Sequence, residues 1–400
     1  MTRLRRGPGA SAGPPTRAGQ PLPHAASDGR DASAAGTSLR VFVLTNMWPT
    51  DAHPHYGVWI ESHVRAVVER GVSVRVRFVN ARRTRWAYAR SALRIVLLNF
   101  EPRQYDLLHA QSGYAGALAL LQFRIPVLIS FMGSCDLLHE SGKDGRVALK
   151  SRIAAAVSRQ LARSSDHTIT MTSEMERALP ASARPRNWVL PHGVDRSLFR
   201  PIPRAVARAR LGWGSDERVV LFVGHTENKR FDLALAAVDI ARSERPDLQL
   251  KRLAHGPQRD VPVWMNAADV LIVTSNVEGS PNMVKEAMAC GLPIVSVDVG
   301  DVRNVIAGTR NCHITERDPR MLAAALLEVL GAAPERSDGR MRSEHLALAV
   351  IADRLVSIYR ETITSAPRNR RLIIPGKHRR GRPRKRRSAR LRAHRSLSPS

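Results

Sequence analysis

The stretch ADVLIVTSNVEGSPNMVKEAMACGLPIVSVDVGD, residues 268–301, leaves this chain little choice of fold. Residues 270–274 form a β-branched run that reads as a buried parallel strand, and residues 293–297 read the same way. Between them, Ser280 suits a helix N-cap, Pro281 the first helical position and Gly291 the residue just past the helix end. The expected unit is strand, loop, helix, strand. Its loop falls at the carboxyl end of the first strand, where open α/β sheets bind ligands. Two carboxylates, Glu278 and Glu286, stand eight residues apart in that loop and helix.

The same alternation runs through the chain. Order is expected to begin at Leu39 with the strand LRVFVLT, then a Pro- and Gly-containing loop, NMWPTDAHPHYGVWI, a helix over 61–70 and the period-two strand VSVRVRFV. Further strands are expected at YDLLHAQ, IPVLISF and HTITMTS, and in the second half at ERVVLFVG, LQLKRLA and the opening stretch, with helices between them. Alternating strands and helices imply doubly wound parallel sheets. The predicted fold class is therefore α/β, with two Rossmann-like domains, residues 39–195 and 196–345, facing a cleft. A helix over 346–365 follows, able to cross back to the first domain. Ligands favour such inter-domain clefts.

Composition matters mainly for the tails. Residues 1–38 are rich in Ala, Gly, Pro, Ser and Arg without periodicity and are expected to be disordered. Residues 366–400 carry 14 Lys and Arg and no acid, half of the formal charge of +28. That tail contains Arg380, Gly381, Arg382 and Pro383, the core of an AT-hook-like element. It reads either as a nonspecific nucleic-acid contact or as a basic extension that clings to acidic surfaces. A nucleic-acid-binding protein is accordingly the alternative function class. The basic bias of the remainder favours anionic partners. No run approaches the apolar length of a membrane span, and the first residues lack the apolar core of a signal peptide. The three cysteines show no CxxC spacing. A reducing, cytoplasmic setting without structural zinc is expected. Residues 84–100 read as a basic amphipathic helix, suited either to an anionic membrane surface or to an ordinary solvated face.

Four segments taken together resemble one family, the retaining glycosyltransferases of family 4 with the GT-B fold. EGSPNMVKEAMACGLPIVS matches the E-x7-E signature, FVGHTENKRFDLALAAV the first motif of the C-terminal domain, LPHGVDRSLFRP the interdomain segment, and TNMWPTDAHPHYGVWI the N-terminal Gly loop. The resemblance implies an enzyme that moves a sugar from a nucleoside-diphosphate donor to a hydroxyl of a glycan or lipid-linked acceptor. Cell-surface polysaccharide synthesis, peripheral to the inner membrane face, would be its setting. A nucleotide-sugar epimerase or an inactive relative on the same fold stays open.

By this resemblance Glu278 would bind the donor sugar and steady charge at the anomeric carbon, and Glu286 would bind the ribose. The helix start would face the diphosphate through the N–H groups of Asn282 and Met283, beside Gly279 and Ser280. Lys229, with Gly224 before it, would neutralise the leaving diphosphate. No cofactor and no metal are expected, since neither DxD nor HExxH occurs. Two departures stand out. The common pattern has an Arg directly after Gly224, where this chain has His225, and the neighbouring Arg230 could compensate. The histidine found in many members has only His109 as an imidazole candidate, beside Gln111 and Met132, and His109 is either catalytic or a buried strand-end residue. Gly57 would let the backbone approach substrate or would serve a simple turn.

Overall fold

The computed structural model describes residues 38–84, 86–138, 149–331 and 335–366. Apart from Ser38 and Ala366, both expected tails, including the AT-hook-like element, lie outside the described residues.

The strands assemble into two sheets. The first contains β1 (Arg40–Thr45), β2 (Ser73–Phe78), β3 (Leu107–Gln111), β4 (Val127–Phe131), β5 (His167–Thr170) and β6 (Asn187–Val189), in the spatial order β2-β1-β3-β4-β5-β6. The second contains β7 (Arg218–Val223), β8 (Leu248–Leu253), β9 (Val270–Val273), β10 (Ile294–Val297) and β11 (Cys312–Thr315), in the order β11-β10-β9-β7-β8. All strand pairs within the two sheets are parallel. Central strands β3, β4, β9 and β10 are buried along their whole length, which explains why they read as apolar runs instead of alternating ones.

Helices α1 (Val58–Val68), α2 (Ala87–Leu97), α3 (Gly113–Ala119) and α4 (Leu149–Ser164) accompany the first sheet. Helices α5 (Arg204–Leu211), α6 (Phe231–Ala241), α7 (Asn282–Cys290) and α8 (Pro319–Val329) accompany the second. Helix α1 starts earlier than the expected residue 61 because Gly57 takes a left-handed conformation, φ 78°, and turns the chain directly into the helix. Ser280 is not the N-cap of α7. Pro281 holds that position without a side-chain cap, and the Ser280 hydroxyl donates to Asp301 Oδ2 at 2.6 Å. Gly291 ends α7 with φ 69°, as its position suggests.

Each sheet has its own buried core. The last helix, α9 (Leu348–Ser365), belongs to the core of the first sheet: Ile351, Leu355, Ile358 and Tyr359 share it with residues of α1 and β3, the elements that α9 touches. The crossing is held at Val194, whose N–H donates to Leu346 O at 2.9 Å and whose carbonyl accepts from Leu348 N at 2.8 Å. Gly193 is needed there because a Cβ would lie 2.6 Å from Leu348 Cα.

Strand order decides where chemistry can occur. It reverses between β1 and β3 in the first sheet and between β7 and β9 in the second. At such a switch point neighbouring loops diverge and leave a crevice beyond the strand ends. The loops after β1, β7 and β9 all contribute to one cleft.

Candidate active site

A cleft of about 470 Å³ lies between the two domains. Its second-domain wall is built by the loops after β7 and β9. After β7 the chain turns at Gly224, φ 144°, where a Cβ would come within 2.8 Å of Lys229 Cγ. The missing side chain lets the Lys229 stem fold back over the turn. Its ammonium then reaches Glu278 Oε1 at 2.6 Å, with only 20% and 15% of the two side chains exposed. The two loops also clamp each other directly. Asn228 donates to Val277 O at 2.7 Å, Asn276 N–H to Asn228 O at 2.8 Å, and Thr274 Oγ1 to Lys229 O at 2.8 Å.

The loop after β10 supports the same wall. Gly300, φ 58°, lies so close that a Cβ would meet Gly279 O at 2.3 Å. Beside it, Lys285 is 1% exposed and donates to Ser280 Oγ and to His192 O, each at 3.0 Å. This side chain ties α7 to the segment joining the domains. Burial lowers its pKa to about 8 although Asp301 and Glu286 oppose the shift. Burial also raises Glu286 to about 7, against the pull of Lys285 and Lys229. The α7 N-terminus has no side-chain cap, so the N–H groups of Asn282 and Met283 are presented at the cleft wall.

The structure brings most of the sequence-predicted residues to this wall. Glu278, Glu286, Lys229, Gly224, Gly279, Ser280, Asn282 and Met283 all line the cleft. Three others do not. His109 is 1% exposed in the core, with Nε2 2.7 Å from Ser130 Oγ and Nδ1 2.9 Å from Tyr359 Oη. Burial pushes its pKa down to about 3, and it has no path to substrate. The catalytic place considered for His109 is therefore corrected: it is a satisfied core histidine fastening β3 to α9. Gln111, 2% exposed, is buried beside it, whereas Met132 reaches the cleft. Arg230 is absent from the cleft lining: its guanidinium pairs with Asp232 at 2.9 Å and donates to Asn276 Oδ1 at 3.3 Å. Gly57 also lies outside the lining; a Cβ there would sit 2.6 Å from Met47 C, so its role is to let two loop segments cross.

Several cleft residues carry no strong sequence signal. His55, His225 and His255 come from three loops and gather at the cleft, with ring centroids 4.6 to 6.1 Å apart. Only His225 stands at a position the sequence marks, directly after Gly224. Trp59 and His192 also line the cleft. Among the described residues no group of three His, Cys, Asp or Glu is arranged to hold a metal ion.

The chain matches known proteins over both domains. A family model described as "Glycosyl transferase 4-like domain" matches residues 27–193, and one described as "Glycosyl transferases group 1" matches residues 245–332. The D-inositol 3-phosphate glycosyltransferase of Thermobispora bispora is 27% identical over 315 residues, 66% of this chain and 72% of that protein. A D-inositol 3-phosphate glycosyltransferase of Catenulispora acidiphila is 28% identical over 314 residues, 66% of this chain and 73% of that protein. Among solved structures, sucrose-phosphate synthase from Thermosynechococcus elongatus superposes with a TM-score of 0.68 at 18% identity, covering 82% of this chain and 100% of that one. Anabaena HepE, solved in complex with UDP and glucose, gives 0.60 at 16% identity with the same coverage. The sheet order, the paired domains and both matched segments lead to one assignment: the chain belongs to the family 4 glycosyltransferases, which have the GT-B fold.

Proposed function

We propose that this glycosyltransferase is a retaining enzyme that moves a hexosyl group from a nucleoside-diphosphate sugar to a hydroxyl of a glycan or lipid-linked acceptor in cell-surface polysaccharide synthesis. The observation that carries the reading is the wall on which Lys229, the uncapped α7 N-terminus, Glu278 and Glu286 converge. The first two offer positive charge at one place, as a departing diphosphate requires. In the unliganded protein Lys229 and Glu278 neutralise each other. An entering diphosphate competes for the ammonium and frees the Glu278 carboxylate toward the sugar. As the anomeric C–O bond breaks, its electron pair stays on the diphosphate, held by Lys229 and the helix N–H groups. The acceptor hydroxyl joins the same face of the anomeric carbon and gives its proton to the leaving phosphate. Glu286 holds the ribose. In this reading Lys229 and the helix terminus carry the charge that a metal supplies in other phosphate sites, and the relatives' UDP complexes support a nucleotide in this cleft.

Thermal unfolding with a panel of UDP- and GDP-sugars tests the donor. A ligand at about 100 times its Kd adds about 2.7 kcal/mol to stability, which raises the melting temperature by several degrees. No shift with any nucleotide or nucleotide sugar overturns the donor reading.

The membrane setting rests on a different face. No helix among the described residues is long and apolar enough to cross a membrane. On α2 and its flanks, however, Trp86, Leu93, Leu97 and Phe100 are exposed, Phe100 by 76%. Exposed Tyr114 on α3 and the α4 row Leu149, Ile153 and Val157 extend this surface, because α3 touches both α2 and α4. Exposed arginines such as Arg90 accompany it. Such a basic and apolar face suits the interface of an anionic bilayer. Vesicle flotation should show binding with anionic lipid and loss of binding in the Trp86→Ser, Phe100→Ser double variant. Binding that ignores both lipid charge and the substitutions removes the membrane reading.

A further inference from the structure

Lys285 is among the largest fully buried side chains of the protein and stands on α7 directly before Glu286. The two hydrogen-bond partners of its ammonium are uncharged. One is the His192 carbonyl in the segment joining the domains and the other is Ser280 Oγ in the Glu278 loop, each at 3.0 Å. Ser280 in turn donates to Asp301 Oδ2, 2.6 Å away in the loop after β10. One buried cation thus joins three segments. Both ends of this tie lie beside glycines where backbones touch: a Cβ on Gly300 would meet Gly279 O at 2.3 Å, and one on Gly193 would meet Leu348 Cα at 2.6 Å.

Packing alone does not call for a charge at this place. A methionine has nearly the same length and fills an apolar site, whereas a buried ammonium with neutral partners is costly to keep. The reason for keeping it lies in its neighbours. Ser280 is two residues past Glu278, and Glu286 follows Lys285 in the chain. We propose that Lys285 is a positioning residue for sugar transfer, whose buried ammonium sets the Glu278 loop against the segment joining the domains. At 1% exposure it has no face for a substrate, so it acts through Ser280 and the joining segment.

Few charges face it. Burial lowers its pKa to about 8, against the attraction of Asp301 from the loop after β10 and of Glu286 on α7 itself. His63 on α1 and His192 in the joining segment also face it, and burial, with Lys285 adding to the effect, keeps both imidazoles neutral. Glu286 is raised by burial to about 7 and pulled down by Lys285 and then Lys229. Charged Lys285 therefore helps to hold Glu286 as a carboxylate. As pH rises through about 8, the amine keeps N–H groups for its two partners but loses its hold on Asp301 and Glu286, and the clamp weakens.

The inference rests on the glycosyltransferase reading for its consequence in catalysis, and one arm of its test needs no nucleotide. That arm compares hydrogen exchange in the full unliganded chain for wild type, Lys285→Met and Ser280→Ala. Lys285→Met removes the charge at nearly equal length, and Ser280→Ala cuts the tie to the loop with the lysine left in place. Both should speed exchange about tenfold or more across residues 275–280, and Lys285→Met also at 193–194, with β3 and β4 unchanged. Exchange at the wild-type rate in these segments overturns the proposal, and Ser280→Ala decides alone where Lys285→Met does not fold. The second arm follows release of UDP from UDP-glucose, with water as acceptor, across pH. Wild-type turnover should fall as pH rises through about 8. Lys285→Met should be about ten- to a hundredfold slower at neutral pH, chiefly in kcat, the scale of a small misplacement of a reacting group. It should also lose the alkaline fall and carry its acid limb to higher pH, because Glu286 no longer feels the lysine. Ser280→Ala should be slower yet keep the alkaline fall. A Lys285→Met profile parallel to the wild type's means packing only and overturns the proposal. Wild type that neither binds UDP nor releases it from UDP-glucose sinks the donor reading and leaves the exchange result to decide this one.

Discussion

Glutamine in place of Glu278 is expected to lower sugar transfer about a hundred- to a thousandfold, the usual scale for removing one group that stabilises charge in a transition state. The side chain keeps its size, so the fold should keep its melting behaviour. Two effects combine. The carboxylate no longer steadies positive charge at the anomeric carbon, and Lys229, 2.6 Å away in the wild type, loses its counter-charge. Lys229→Met should also cost activity, but mainly by weakening UDP binding, because its proposed target is the diphosphate. Measuring transfer and UDP affinity for both single variants and the double one separates the roles. Glu278→Gln with transfer near wild type would end the assignment of Glu278 to catalysis. Glu286 tests the other end of the proposed donor site: if it holds the ribose as proposed, Glu286→Ala weakens UDP binding as well as transfer.

The largest expected effect on stability lies away from the cleft. Asp269 is wholly buried at the start of β9, where Oδ2 accepts from Arg208 Nη2 at 2.8 Å and from Val219 N at 2.7 Å. Its other oxygen accepts from Arg204 Nη1 at 2.5 Å. Arg208, with 3% of its side chain exposed, has no water to turn to if the partner is lost. Asp269→Ala should destabilise the protein by about 3–5 kcal/mol, the cost of leaving one member of a buried ion pair alone. Denaturant unfolding of the wild type and the variant measures it, and a loss below about 1 kcal/mol would contradict the account. Replacing Asp269 and Arg208 together by Leu and Met should recover only part of the loss: the lone buried charge is gone, but Val219 N–H and the Ala267 carbonyl lose their partners as well. This pair fixes the strand that carries the Glu278 loop, so the cleft wall depends on it indirectly.

The contrast between expected residues that line the cleft and expected residues that do not has a physical pattern. Glu278, Asn282, Met283 and Glu286 belong to one strand-loop-helix unit, and local geometry alone puts them at a strand's carboxyl end. Lys229 and Gly224 share a turn, and the glycine is required by the lysine folded over it. His109 and Gly57 are harder. His109 sits at the end of a central strand, on a side that local sequence leaves open either to a cleft or to a covering helix. The covering helix comes from the far end of the chain, where Tyr359 supplies its hydrogen-bond partner. Gly57 occupies the expected Gly loop, but the backbone it approaches is that of Met47. Arg230 neighbours Lys229, yet its left-handed backbone, φ 55°, directs it toward Asp232 instead.

By itself, then, the sequence determined the parallel sheets, the crossover helices and the loop that holds two carboxylates near a helix start. These follow from periodicity and turn chemistry, which act over a few residues. The tertiary structure decided which distant segments face one another across the cleft. It alone brought His55, His225 and His255 together, set Trp59 and His192 against Asn282, and withdrew His109 into the core. Those outcomes depend on how two domains and a returning helix pack, and no local pattern in the chain encodes which side chain a remote surface will cover.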